Sequence, residues 1–293
     1  PEIAGRCHIE SIDCVITDAL NQSKTSLEQI DLIAVTAGPG LVSSLLVGVN
    51  TAKALAYALQ KPLVGVNHLE GHLLAIFLQE EVEFPFIALT VSGGHTDLYR
   101  VNGFGDYKIL GRTRDDAAGE SFDKVAKMLC LGFPGGPFIE QKALLGNPLA
   151  HKFPRAYLEK NSLDFSFSGL KTSVRNVILK RDAKKIHDLS DSDIAAGFQD
   201  AVIDVLTEKV VLACKKEKVD RIVVTGGVAA NTALRKRIAK VANLDGLEYF
   251  FPKPKYCTDN AAMIACAGYY KNINSPLSPA NAMHLDASAS LRL

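Results

Sequence analysis

The chain has 293 residues, 47% of them hydrophobic and 22% charged, and 33 Lys and Arg against 32 Asp and Glu leave a net charge of +1. That length exceeds one small core and suits two modest domains, while the ordinary composition excludes intrinsic disorder and fibrous repeats. A balance so close to zero excludes a uniformly basic surface, so any nucleic-acid contact has to come from a local patch. In chain order, residues 9–22 are apolar at Ile9, Ile12, Val15, Ile16, Ala19 and Leu20, the repeat of an amphipathic helix. Residues 31–36 (DLIAVT) read as a short buried strand stopped by Gly38-Pro39-Gly40. Residues 41–59 read as a helix rich in small residues, suited to close packing on a sheet. They are also the most apolar stretch, but Asn50 and Lys53 break it and no run reaches ~18 residues, so no membrane span is expected. A strand at 63–66 completes a βαβ unit and hence a parallel pair.

Beyond a helical segment at 68–78, strands at 86–91, 97–101 and 107–110 are joined by tight glycine turns, an antiparallel meander. Helices are expected at 120–130, 137–145, 170–179 and 192–217, with a loop or short hairpin at 161–169. The strand 221–225 (RIVVT) ends in Gly226-Gly227, a helix follows from about Ala230, and the last helix follows Asp259. The second half therefore holds a meander plus a βαβ pattern and the first half a βαβ pattern without its meander. Two similar α/β lobes with a ligand cleft between them are the expected architecture, divided at 1–66 and 67–293.

The sharpest chemical signal is His68-Leu69-Glu70-Gly71-His72. On a helix, positions i and i+4 share a face, so both imidazoles can reach one metal ion; two exposed or capping histidines are the plainer alternative. At roughly 100° per residue, Glu70 points away from the midpoint of the two histidines. The metalloprotease arrangement H-E-x-x-H, with its glutamate beside a metal-bound water, is thus disfavoured. Val91-Ser92-Gly93-Gly94-His95-Thr96 joins two strands, and its glycines allow a backbone anion nest or an ordinary hairpin turn. Thr225-Gly226-Gly227-Val228-Ala229-Ala230-Asn231 lies at the carboxyl end of a buried strand, where α/β sheets bind ligands and where strands and helices also pack tightly. Residues 132–137 (GFPGGP) form a third glycine turn. Asp123 and Asp259 each read as lying at a helix start, where a carboxylate can simply favour the dipole or act as a cap. Lys171, Arg175, Lys180, Arg181, Lys184 and Lys185 put six bases in fifteen residues, a solvated face or a phosphate-backbone contact. No aromatic-rich RNA motif accompanies them. The six cysteines show no C-x-x-C spacing and none is assigned a catalytic role; scattered thiols in a chain of this size, with no signal peptide, suit a reducing cytoplasm.

Together the stretches PEIAGRCHIE, TAGPGLVSSLLVG, HLEGH, TVSGGHT, GESFDKVAKMLCLGFPGGP, DFSFSGLKTS, TGGVAAN and TDNAAMIA, in order from residue 1 to 265, resemble the TsaD family, the universal tRNA threonylcarbamoyladenosine transferases, and its bacterial branch more than the others. An older name for such proteins is O-sialoglycoprotein endopeptidase. The resemblance implies a two-lobed actin/Hsp70/sugar-kinase-like (ASKHA) fold and a metal, Fe(2+) first and Zn(2+) second, held by His68, His72 and Asp259. It implies that threonylcarbamoyl-AMP lies across Val91, Ser92, Gly93, Gly94, His95, Asp123, Gly136 and Asn231, with Glu140 on the adenylate ribose. The implied reaction transfers the threonylcarbamoyl group to N6 of the adenosine 3′ to the anticodon, in tRNAs reading codons that start with A. Implied partners are a TsaB-type paralogue and a TsaE-type ATPase, with no membrane. The family opens with a strand-turn-strand carrying an IETSCDET-like motif; this chain starts after it, which accounts for a first lobe without a meander. The competing readings are a metalloprotease, resting on H-x-x-x-H, and a non-catalytic scaffold, which would have no use for His68, His72 and Asp259 together.

Overall fold

The computed structural model describes residues 2–156, 161–275 and 284–293. It divides into two compact units, Pro1–Leu78 with Asn260–Leu293, and Gln79–Asp259. These bounds differ from the 1–66 and 67–293 division read from sequence. The helix after residue 67 and the last helix both pack on the first small sheet, and that packing sets the boundaries.

The first unit begins with α1 (Glu2–Ser23), β1 (Ile33–Gly38), α2 (Val42–Leu59) and β2 (Leu63–Asn67). β1 and β2 pair in parallel from Ile33 opposite Leu63, as the βαβ spacing requires. α1 starts earlier than its apolar repeat suggested and turns a different edge inward. Gly5 is buried against Ser43, and Ile12, Ile16 and Leu20 are half-buried, while Ile9 and Val15 are exposed. α2 is the one helix among the described residues long and apolar enough to cross a membrane, with a mean hydropathy of 1.3. That property comes chiefly from its four leucines and three valines, which Lys53 and Asn50 do not offset. Leu45, Val49, Ala52 and Ala56 are buried within the unit, as expected for a helix laid on a sheet. Gly38 ends β1 because the C-terminal segment runs across it. A Cβ there would lie 2.0 Å from the Ser288 carbonyl oxygen, and the Ser288 N–H donates to the Ala37 carbonyl at 2.8 Å. α3 (His68–Leu74) then continues as a 3-10 turn, Ala75–Leu78.

The second unit is built on β3 (Phe86–Val91), β4 (Thr96–Gly103) and β5 (Asp106–Arg112), the expected meander, followed by α4 (Ala118–Met128), α5 (Gly135–Ala143), α6 (Ser168–Asp182) and α7 (Asp191–Glu217). β6 (Arg221–Thr225), a 3-10 turn (Gly227–Ala230), α8 (Thr232–Asp245), β7 (Glu248–Phe250) and α9 (Pro254–Cys257) complete it. The sheet order is β5-β4-β3-β6-β7, with β3, β6 and β7 mutually parallel. α7 is nucleated by a reciprocal cap in which Ser190 Oγ accepts from the Asp193 N–H and Asp193 Oδ2 accepts from the Ser190 N–H, each at 3.1 Å. Seventeen of its residues are buried, Phe198 among them, which makes it the spine of a core shared with Phe122, Phe153, Phe165 and Phe167. The chain then returns to the first unit as α10 (Ala261–Asn274). α10 meets β1 where Gly268 abuts Ala34, a Cβ there being only 2.5 Å from Ala34 Cβ.

Candidate functional site

In the second unit, one cavity of about 280 Å³ gathers residues from separate stretches of the chain. Gly93 reaches it from the β3–β4 turn, Asp123 from α4, Gly136 and Glu140 from α5, and Asn231 from the start of α8. Gly119, Phe122, Pro134, Pro137, Gly227, Val228, Ala230 and Thr258 complete the lining. The sequence reading had named five of these thirteen residues as ligand contacts, and the glycine turns 132–137 and 226–227 signalled several others. Phe122 and Val228 lie inside the motif stretches but are not read as contacts, because an apolar wall residue looks like any core residue. Val91, Ser92, Gly94 and His95 do not line the cavity. Val91 is fully buried as the last residue of β3, so its side chain belongs to the core.

The turn itself is held by its own ends. The Ser92 N–H donates to the His95 carbonyl at 2.8 Å and the His95 N–H to Ser92 Oγ at 3.1 Å, and these closing bonds do not use the N–H groups of Gly93 and Gly94. Gly119 lets α4 press on this turn. Its N–H donates to the Ser92 carbonyl at 3.2 Å, and a Cβ would lie 2.4 Å from that oxygen.

Asp123 lies within α4, not at its start, because the helix begins at Ala118. Its Oδ1 accepts from the Gly135 N–H at 2.7 Å, so it fixes the first turn of α5 and keeps Oδ2 for another partner. Glu140 Oε1 accepts from the Thr232 N–H at 2.8 Å and from the Thr232 hydroxyl, tying α5 to α8 and leaving Oε2. Asn231 is the N-cap of α8. Its Oδ1 accepts from the Leu234 N–H at 2.9 Å and its Nδ2 donates to Gln199 Oε1 at 2.8 Å, with a second Nδ2 hydrogen remaining. Arg235 braces the same wall. Its guanidinium donates to the carbonyls of Ala229 and Pro252, each at 2.7 Å, and lies 4.7 Å over the Phe251 ring. It also meets Cys257 Sγ at 3.3 Å, yet burial outweighs that charge and keeps the Cys257 thiol above its ordinary range. Burial likewise pushes the Cys214 and Cys266 thiols up, to about 12 and about 11, which disfavours the thiolate a nucleophile needs.

In the first unit, α3 starts at His68 because Asn67 caps it, its Oδ1 accepting from the Leu69 N–H at 2.8 Å. The expected i, i+4 pair forms. The His68 and His72 rings lie edge to face with centroids 4.8 Å apart, His68 half-buried and His72 fully buried. Glu70 is buried on the same short helix, two residues from either histidine, and the helical geometry turns it from their shared face. Gly71 seats α10, since a Cβ there would lie 2.8 Å from Ile264 Cδ1. The cap of α10 is Asn260, whose Oδ1 accepts from the Met263 N–H at 2.9 Å, so the exposed Asp259 beside it is not a cap. Asp259 remains a candidate ligand.

The basic stretch divides. Lys171 donates to Asp116 at 2.5 Å, and Arg181 pairs with Asp191 at 2.5 Å and with Asp182 at 3.1 Å. Burial favours a neutral Asp116, but the Lys171 and Lys124 ammonium groups overcome it and hold that carboxyl below its usual range. Arg175, Lys180, Lys184 and Lys185 are exposed.

Comparisons with known proteins identify the family. Residues 1–266 match the family model "TsaD: tRNA N6-adenosine threonylcarbamoyltransferase". The chain belongs to that family. It is 55% identical over 297 residues to the tRNA N6-adenosine threonylcarbamoyltransferase of Thermodesulfovibrio yellowstonii, covering all of this chain and 87% of the relative. To the enzyme of the same name from Clostridium perfringens strain SM101 it is 48% identical over 294 residues, covering 86% of the relative. Among solved structures, full-length HypF superposes with a TM-score of 0.64 at 13% identity over 97% of this chain and 50% of that one. HypF of T. kodakarensis gives 0.60 at 16% identity, over 85% of this chain and 42% of that one. These two likenesses speak to the fold alone, a mixed α/β fold of the ASKHA kind.

Proposed function

We propose that the cavity of the Gln79–Asp259 unit is the seat of threonylcarbamoyl-AMP in the reaction of this family. The protein is a transferase that modifies tRNA, delivering a threonylcarbamoyl group to N6 of an adenosine. The finer assignments are proposals: the target is the adenosine 3′ to the anticodon in tRNAs reading codons that begin with A, the site of action is the cytoplasm, and the partners are a TsaB-type paralogue and a TsaE-type ATPase.

The observation that carries this reading is the convergence of Gly93, Asp123, Gly136, Glu140 and Asn231 on one cavity from four separate stretches. The N–H groups of Gly93 and Gly94 suit the adenylate phosphate as a backbone nest. Glu140 Oε2 suits a ribose hydroxyl, and Phe122, Pro134, Pro137 and Val228 offer apolar area to the purine. The N6 amine attacks the carbamoyl carbonyl carbon; a C–N bond forms, the C–O bond to the phosphate breaks, AMP leaves with the electron pair and N6 loses a proton. No side-chain nucleophile is needed. The two imidazoles at i and i+4 supply nitrogen donors at a separation compatible with one ion, and the family resemblance implies Asp259 as a carboxylate ligand. This set fits Fe(2+), with Zn(2+) second. A divalent ion held there would supply Lewis acidity.

Mass analysis of tRNA nucleosides from a strain depleted of the protein, with and without complementation, tests the reaction; loss of the modified nucleoside and its return are expected. For the metal, His68→Ala and His72→Ala should each abolish stoichiometric binding while circular dichroism stays unchanged. Full metal occupancy in the double variant would remove these residues from the site.

A further inference from the structure

Of thirteen phenylalanines in the chain, two are exposed, Phe133 at 80% and Phe138 at 40%. Both flank the same rim. Phe133 precedes Pro134 and Phe138 follows Pro137, and these two prolines line the cavity while the two rings do not. The rim is rigid. Gly135 is locked by its N–H bond to Asp123 and by close packing, a Cβ there being 2.6 Å from both Asp123 Cα and the Phe122 oxygen. Gly132, at φ +116°, lets the Phe138 ring lie on its backbone; a Cβ would meet that ring at 3.1 Å. An isolated exposed apolar side chain is unremarkable. Two aromatics set on a fixed rim, outside the cavity and beside its lining, call for a ligand.

We propose that Phe133, with Phe138 on the same rim, is a stacking platform for an unpaired base of the tRNA anticodon loop next to the acceptor adenosine. The proposal rests on the cavity being where transfer occurs. If the acceptor base enters there, its neighbours in the single-stranded loop must lie over the rim, and single-stranded RNA is held by splaying bases onto aromatic side chains. A molecule inside the cavity would not reach rings that do not line it, which separates this role from adenylate binding. Lys127, exposed in the last turn of α4, offers a charge for the adjoining phosphate. Leu144, Leu145 and Leu149 are also exposed just beyond, so a protein surface is the competing occupant that the test has to separate.

The test uses an anticodon stem-loop carrying 2-aminopurine beside the acceptor adenosine, with the full chain and its Phe133→Ala, Phe133→Leu, Phe133→Trp and Phe138→Ala variants. Phe133→Ala should weaken stem-loop binding by roughly tenfold or more and reduce fluorescence quenching on binding. Affinity for a stable adenylate analogue and the circular dichroism spectrum should not move. Phe133→Trp should restore binding, Phe133→Leu should not, and Phe138→Ala should show a smaller loss. Unchanged stem-loop affinity and quenching in Phe133→Ala would overturn the platform. So would a loss seen instead in adenylate titration or in association with a protein partner. Failure of the unmodified chain to modify tRNA when supplied with threonylcarbamoyl-AMP and both proposed partners would strike the underlying reading instead.

Discussion

The turn after β3 and the turn after β6 leave the same end of the sheet on neighbouring parallel strands, Thr90 pairing with Thr225 just before them, and each carries a Gly-Gly pair. Around Gly226 there is no room. Its φ is +90° and a Cβ would lie 2.4 Å from the Val91 carbonyl oxygen, so the neighbouring strand dictates glycine. Around Gly93 and Gly94 nothing lies within 4 Å of a built Cβ, and neither has a positive φ. Gly135 and Gly136 repeat the contrast, the first wedged against α4 and the second open. Two like-looking motifs therefore answer to different masters. One glycine is required by the fold, while the other leaves a backbone bare toward a cavity.

The largest effect should come from Gly226→Ala. A side chain held at positive φ costs roughly 1–2 kcal/mol, and displacing a strand carbonyl adds about 1–3. Urea unfolding should thus show a loss of about 3 kcal/mol or more. An unshifted midpoint would break the comparison at its firmest point. Asn231→Ala should fall between the extremes because that side chain serves both masters. Losing the cap costs about 1 kcal/mol and leaving Gln199 Oε1 without its donor costs a similar amount, so about 2 kcal/mol of stability should go together with adenylate affinity. Asn231→Asp sharpens the point. It keeps the acceptor for Leu234 but replaces the Nδ2 donor with a charge facing the phosphate, so affinity should fall further than with alanine while less stability is lost.

Much of the scaffold was legible because periodicity and glycine punctuation follow local sterics: the parallel β1–β2 pair, the meander, α7 and RIVVT all stand where their patterns put them. What was illegible depends on partners distant in sequence. β7 is three residues long and exists because β6 offers an edge; Glu248-Tyr249-Phe250 has too little length to show alternation. β1 begins at Ile33 instead of Asp31 because its partner strand begins at Leu63. The apolar repeat of α1 was real, but Gly5 seated on Ser43 decides which edge is covered. At the cavity, Asp123 and Asn231 stand in readable motifs and Glu140 follows only from the family resemblance, whereas their bonds to Gly135, Thr232 and Gln199 join segments 12, 92 and 32 residues apart and leave no local trace.

The smallest change in stability, and the most informative about function, is expected for Gly93→Ala. With open space at Cβ and an ordinary φ, alanine restricts the unfolded chain more than it strains the folded one. Stability should therefore stay within about 1 kcal/mol of the parent, in the favourable direction. The added methyl nonetheless projects from the one turn residue that lines the cavity, and it holds a ligand phosphate away from the N–H groups of Gly93 and Gly94. A charge-assisted hydrogen bond contributes about 1.5–3 kcal/mol, so losing one should weaken a stable adenylate analogue by roughly ten- to hundredfold in calorimetric titration. Gly93→Val should extend the loss, and metal content should not change, because His68 and His72 lie on α3. Two results would undo the distinction between the turns. Destabilisation as large as that of Gly226→Ala would show that the turn after β3 is packed after all, and unaltered adenylate affinity would show that its bare backbone is not where the phosphate sits.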